Sequence, residues 1–297
     1  MLRSALTVAL VVMLMVGGCT SGDDSATEAP TASTTIPTTV LATTPTTAVA
    51  TTTTAPSTTT STIPELTLPS EGEPWDLAYV SNSFGWGVAE PYAVLAADAL
   101  GVPVNPHEAT IDHLEAWRAL EHLQDVRYPP LADLVRNAEI IVVYGVPERS
   151  GDWAKTCWPD GTNRTTPPPI LTEDDWQQYR DELETLFAAV WELRRGLPTV
   201  IRTFDAPIGM ISEWRELGID AGCITGWESN SATVRAAAEV HGITMVSLFD
   251  LFNGPNHDED PREKGWIRGD GYHANEAGAA AIADALAAAG FEPTTQP

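Results

Sequence analysis

Five consecutive apolar residues, Ile140-Ile141-Val142-Val143-Tyr144, constrain the architecture more than any other stretch of this 297-residue chain. The run is short, β-branched and has no polar face to turn to water. It predicts a central parallel strand covered on both sides. Parallel strands need crossover connections, and the flanking sequence supplies them. Residues 77–80, 102–104, 199–203 and 243–246 read as further strands. Helical periodicity falls between them, over residues 90–100, 111–123, 131–137, 207–217 and 231–241, and after the last strand over 275–289. A longer helix opens on the capping pattern Thr172-Glu173-Asp174-Asp175 and runs to Arg195. Strand and helix therefore alternate. The expected fold class is α/β, a three-layer α/β/α sandwich on a mostly parallel sheet with right-handed crossovers.

In such sheets, sites form beyond the carboxyl ends of the strands. Ser83, Gly145 and Asp205 directly follow strands and are expected along one edge. No Gly-x-Gly-x-x-Gly or Walker-type loop follows any strand, so dinucleotide and nucleotide readings lose their main support.

The N-terminus reads as an export signal. Arg3 precedes an apolar run, residues 5–16, too short to span a bilayer comfortably. Val16-Gly17-Gly18-Cys19 resembles a lipobox, which marks Cys19 for lipidation after residues 1–19 act as signal; a plain secretory signal is the alternative. Residues 20–70 are dominated by Thr, Pro, Ser and Ala. They cannot bury a core, and are expected to form a disordered tether. Residues 71–297 fit one domain. The expected location is extracytoplasmic, lipid-anchored at the membrane, and the expected state is a monomer. Acids outnumber bases, 41 to 16, for a net charge of −25, which argues against nucleic acid as a partner. With Cys19 lipidated, Cys157 and Cys223 remain, and an oxidising compartment makes a disulfide the natural expectation, two buried thiols being the alternative. No His or Cys is spaced near them as a further ligand, so no metal is expected. The acidic stretch 256–260 is expected to be a solvated loop.

The chemistry concentrates in two short segments at opposite ends of the domain. Asp270-Gly271-Tyr272-His273 puts an acid three residues before a histidine at the mouth of a helix. Ser81-Asn82-Ser83-Phe84-Gly85-Trp86-Gly87 puts a serine in a glycine-flanked turn after the first strand. A serine hydroxyl needs a base within hydrogen-bond reach, and the base needs a carboxylate to fix its tautomer. Ser83, His273 and Asp270 are one of each. Trp86, beside Ser83, is expected to line an acyl or sugar pocket.

These segments resemble the SGNH hydrolases, also called GDSL esterases and lipases. The Gly-Asp-Ser-like turn of that family corresponds to Ser81-Asn82-Ser83. Its Asp-x-x-His block corresponds to Asp270–His273, with Gly278 and Ile282-Ala283 matching downstream. The resemblance covers roughly residues 72–290. It implies a flavodoxin-like sandwich and metal-free, cofactor-free cleavage of carboxylic esters on small-molecule, glycan or lipid substrates. The chain departs from the pattern in three places. Asn82 replaces the usual Asp, no Asn follows Gly145 after the central strand, and His107–Thr110 lacks the glycine of the second block. Gly145 and Asn82 are thus the oxyanion candidates beside the Ser83 N–H. Two other readings share the fold: a non-catalytic surface-binding lipoprotein, and an acyltransferase acting on cell-envelope glycans.

Overall fold

A computed structural model describes residues 69–70, 72–124, 129–147, 171–218 and 220–294. Five strands form one sheet: β1 (Trp75–Ser81), β2 (Val104–Thr110), β3 (Ile140–Val143), β4 (Val200–Phe204) and β5 (Thr244–Val246). Their order is β2-β1-β3-β4-β5 and every pairing is parallel. The all-apolar run is therefore the middle of the sheet, and all four residues of β3 are buried. The helices are α1 (Ala89–Leu100), α2 (Ala116–Gln124), α3 (Pro129–Asn137), α4 (Glu173–Arg194), α5 (Ile211–Leu217), α6 (Asp220–Val240), α7 (Leu248–Asn253) and α8 (Glu276–Ala288). Helix α1 packs on α8, while α4 packs on α2, α3 and α6. With the sheet between these two groups, the layers are helix, sheet, helix.

The chain leaves β1 toward β2 on one side and continues through β3, β4 and β5 on the other. The reversal lies between β1 and β3, where α/β sheets of this strand order open a crevice beyond the strand ends. Ser83 follows β1 at this point.

Several elements differ from the sequence reading, each for a physical reason. The second strand begins at Val104 instead of 102 and runs to Thr110. It is an edge strand, carrying Pro106, His107 and Glu108, and polar edges suit water and discourage further pairing. The helix expected from 111 starts at Ala116, because Val146 N–H donates to Leu114 O and Ala116 N–H to Val146 O, committing 111–115 to a connection. The expected helix at 207–217 begins at Ile211, since the backbone N–H and C=O of Ile208 are held by the Asn253 side chain. Helix α6 starts eleven residues before the expected 231, and α7 was not anticipated. Thr172 does close a capping box with Asp175 on α4. Removing the Thr172 hydroxyl with Thr172→Ala should lower stability by about 1 kcal/mol in urea unfolding.

The acidic stretch 256–260 is not simply solvated. Asp260 is almost fully buried, accepts from Ser212 N–H in the first turn of α5 and pairs with Arg262, which also reaches Glu213. Lys264 pairs with Glu259 at 2.6 Å, and His257 stacks on Phe249 and meets Asp250. Burial is the largest single influence on the Asp260 carboxyl and pushes it up. The hydrogen bonds from Arg262 and Ser212 together outweigh it and bring it down to about 2. A pKa lowered by folding means stabilisation that is complete above the unfolded value, near 3.8, and is lost as pH falls through about 2. Asp260→Asn should therefore cost on the order of 2 kcal/mol at neutral pH. The gap to the native protein should close between about pH 4 and pH 2 in urea unfolding; a gap independent of pH would contradict the assignment.

Candidate active site

Beyond the end of β1 the backbone turns sharply. Asn82 caps a 3-10 turn, Ser83–Gly85, with its side-chain oxygen accepting from Phe84 N–H at 3.2 Å. Gly85 lies on the Ser81 and Tyr79 side chains: a Cβ there would stand 2.2 Å from Ser81 Oγ and 2.8 Å from the Tyr79 ring. Only a residue without a side chain lets the turn settle onto the strand. Gly87 has a positive φ of 76°, and its N–H is held by both oxygens of Glu108 from the neighbouring strand β2. The serine turn is thus fixed from below, at its start and at its end.

The second segment is fixed just before α8. Ile267 and Ala274 form an antiparallel bridge, Arg268 N–H donates to His273 O at 2.8 Å, and Gly271 N–H to Arg268 O at 3.0 Å. Residues 268–273 therefore form a closed loop. Asn275 caps α8 by accepting from Gly278 N–H and ties the loop to Gly265 O through its amide. Inside the loop, Asp270 Oδ1 accepts from the Tyr272 and His273 N–H groups, at 2.8 and 3.0 Å. Its other oxygen, Oδ2, lies 2.9 Å from His273 Nδ1.

The two segments meet. His273 Nε2 is 3.0 Å from Ser83 Oγ, across 190 positions of sequence. Asp270, His273 and Ser83 thus form one continuous hydrogen-bonded line. Nδ1–H donating to Asp270 leaves Nε2 with its lone pair toward the serine hydroxyl, the tautomer that can accept a proton. Partial burial is the largest influence on the Asp270 carboxyl and pushes it up. The Tyr272 N–H, the His273 ring and the His273 N–H together hold it below the usual carboxylate range. It therefore stays ionised beside the imidazole. The indole of Trp86 stacks on the imidazole, with centroids 4.9 Å apart and planes 20° apart.

The remaining candidates lie elsewhere or act differently. The carbonyl oxygen of the Asn82 side chain is engaged in capping. Gly145 is a close-packing glycine: a Cβ would come within 2.6 Å of Ala116 Cα, and its carbonyl accepts from the buried Tyr179 hydroxyl at 2.8 Å. The Ser83 N–H donates to no described residue and is the donor positioned at the nucleophile itself. Residues 107–110 lie within β2. Asp205 is fully buried and structural, accepting from Ser247 Oγ and Phe249 N–H. Cys157 lies outside the described residues, and Cys223 is fully buried. Among the described residues no group of three or more His, Cys, Asp or Glu side chains is arranged to hold a metal ion.

Two contributors were not found from sequence. Arg268 places its guanidinium 5.5 Å from the Trp86 ring centroid. Gly209 gives the backbone of 271–272 room to pack: a Cβ there would stand 2.0 Å from Gly271 O. Local sequence could not relate Gly209 to a loop sixty residues away. Gly209→Ala must push the Asp270–His273 loop outward, and misplacement of a reacting group by about 1 Å is worth about 100-fold in rate. The expected result is a rate of Ser83 labelling by a fluorophosphonate reduced by that order, measured beside an unfolding midpoint to separate misplacement from instability.

No family model matches the chain, and no curated protein matches it in sequence. Among solved structures it is similar to the lipase Lip_vut3 from a goat rumen metagenome, at 14% identity and a TM-score of 0.55, over 73% of this chain and 98% of that one. It also aligns with the acetyl xylan esterase AlAXEase at 18% identity and a TM-score of 0.47, over 73% of this chain and 100% of the other. The corresponding figures for a lipase/acylhydrolase from Enterococcus faecalis are 13% and 0.46, over 74% and 98%. The likeness to the goat rumen lipase shows the fold, an α/β sandwich on a parallel sheet, and agrees with the layers expected from the alternation of strand and helix.

Proposed function

We propose that this chain is a serine hydrolase of the SGNH type that cleaves carboxylic esters. The observation that carries the reading is the line Asp270–His273–Ser83, with contacts of 2.9 and 3.0 Å. Ser83 Oγ attacks the ester carbonyl carbon while His273 Nε2 takes its proton. The tetrahedral oxyanion forms beside the Ser83 N–H. As the intermediate collapses, His273 returns the proton to the departing alcohol oxygen and Ser83 keeps the acyl group. Water, deprotonated by the same imidazole, then releases the acid. Asp270 holds the ring in its tautomer and stabilises the imidazolium in both halves. Trp86 adds a π-face against the ring that gains its charge. The triad needs no cofactor.

The domain sits, in this reading, at the end of a tether. Residues 1–19 direct export, Cys19 carries lipid, residues 20–70 space residues 71–297 from the membrane, and Cys157 pairs with the buried Cys223. The supports are the apolar run ending at Cys19 and the composition of the tether. The test is hydrolysis of p-nitrophenyl acetate and butyrate by the full chain beside Ser83→Ala. Equal rates would refute the role of Ser83. Transfer to a glycan, sharing the same acyl-serine, would appear as an acylated sugar product in place of free acid.

A further inference from the structure

Arg268 is exposed and lies next to the site. Arg118, Arg136, Arg180 and Arg262 each pair with a carboxylate. Arg194 and Arg202 are buried against carbonyl oxygens and Thr199. Arg268, like Arg195, Arg215 and Arg235, lies within ion-pair distance of no described carboxylate, but it alone of these sits over an aromatic ring of the site. The acids that hold the two segments of the site are engaged: Asp270 by His273 and two N–H groups, Glu108 by Gly87 N–H and the Thr110 hydroxyl.

Its position is set twice. The backbone is stitched to the Asp270–His273 loop by the Arg268 N–H to His273 O bond and the Gly271 N–H to Arg268 O bond. The guanidinium is held over Trp86, whose ring stacks on the imidazole. A cation placed over an indole keeps N–H groups for a ligand, and the guanidinium fork matches the two oxygens of a carboxylate or phosphate.

The side of the ester it faces follows from the proton path. His273 Nε2 gives its proton to the departing alcohol oxygen, so the alcohol lies against the imidazole when the bond breaks. Trp86 stacks on that imidazole and carries Arg268 on its ring, so an alcohol portion that runs along the indole reaches the guanidinium. We infer that Arg268 recognises an anionic group, carboxylate or phosphate, on the alcohol portion of the substrate. This rests on the hydrolase reading above. It narrows the substrate class to esters of acidic alcohols, an assignment the acidic surface would otherwise disfavour by repulsion.

The test compares three acetyl esters on the full chain: 4-acetoxybenzoate, 4-acetoxyphenyl phosphate and the uncharged methyl 4-acetoxybenzoate. The readout is kcat/KM for each anionic ester relative to the uncharged one, in the native protein, Arg268→Gln and Arg268→Lys. A charge-assisted hydrogen bond is worth about tenfold or more. Arg268→Gln should lower the ratio by at least that factor, and Arg268→Lys should restore part of it. The probe with the larger fall identifies carboxylate or phosphate as the preferred group. An unchanged ratio with cleavage intact overturns the inference and leaves the hydrolase reading in place. Native rates equal to those of Ser83→Ala on all three esters overturn the hydrolase reading and this inference with it.

Discussion

Ser83→Ala is expected to lower kcat for ester hydrolysis by about 10⁶-fold while leaving the fold unchanged. The size follows from the way the three residues act as a unit. Without Oγ no acyl-enzyme forms, His273 has no proton to take, and Asp270 orients a base with nothing to activate; in serine hydrolases, removing the nucleophile alone costs about as much as removing the whole triad. The remaining acceleration would come from substrate binding and the backbone donor. The substitution is well suited to the test because Ser83 is only partly buried and its hydroxyl meets His273 alone among the described residues. The turn itself is held by Asn82, Gly85 and Gly87, none of which is touched. Far-UV circular dichroism and the thermal midpoint should match the native protein. A loss of less than about tenfold would mean that another group carries the acyl transfer.

Asp270→Asn should reduce kcat by about 10⁴-fold. Asp270 accepts three hydrogen bonds, two from backbone N–H groups and one from the His273 ring. An asparagine can keep the two backbone bonds through its carbonyl oxygen. It then turns its NH₂ toward Nδ1, which must become the acceptor. The ring proton moves to Nε2, which faces Ser83 and can no longer take a proton from it. The loss should therefore fall on kcat, with KM changed little, because the substituted side chain contacts the base and not the ester. The native carboxyl stays ionised until pH falls below the usual carboxylate range, because those hydrogen bonds hold it low. The stabilisation it lends the loop is complete above the ordinary pKa and is lost only as pH falls through the lowered one. A loss expressed in KM would show that Asp270 acts mainly by shaping the binding surface.

The parts of the molecule that could be read from sequence are those whose cause is local. β3 was legible because a strand buried on both faces must be apolar at every position. Ser83 and His273 were legible because each sits in a short segment whose neighbours serve it, glycines for the serine turn and an acid at i−3 for the histidine. β2 was misplaced because an edge strand with Pro106 and Glu108 carries no hydrophobic alternation, and its strand state comes from pairing with β1. The connection 111–115 was read as helix because Leu114 and Trp117 have helical spacing. The bonds that hold it open come from Val146, thirty residues on. Gly145 illustrates a subtler limit. Its place after the central strand follows from the strand pattern, but the close approach of Ala116 that excludes a side chain there is set by tertiary packing. Arg268 and Gly209 act on the site through contacts set by tertiary packing, for which a single sequence has no local signature.

The central claim is that His273 activates Ser83 as a nucleophile, and covalent labelling addresses it most directly. The full chain is treated with a fluorophosphonate, digested and mapped by mass spectrometry, beside Ser83→Ala and His273→Ala. The account predicts one phosphonyl adduct per native chain, on the peptide containing Ser83, no adduct with Ser83→Ala, and labelling slowed by orders of magnitude with His273→Ala. A native protein that takes no label, or takes it equally at other serines, would contradict it.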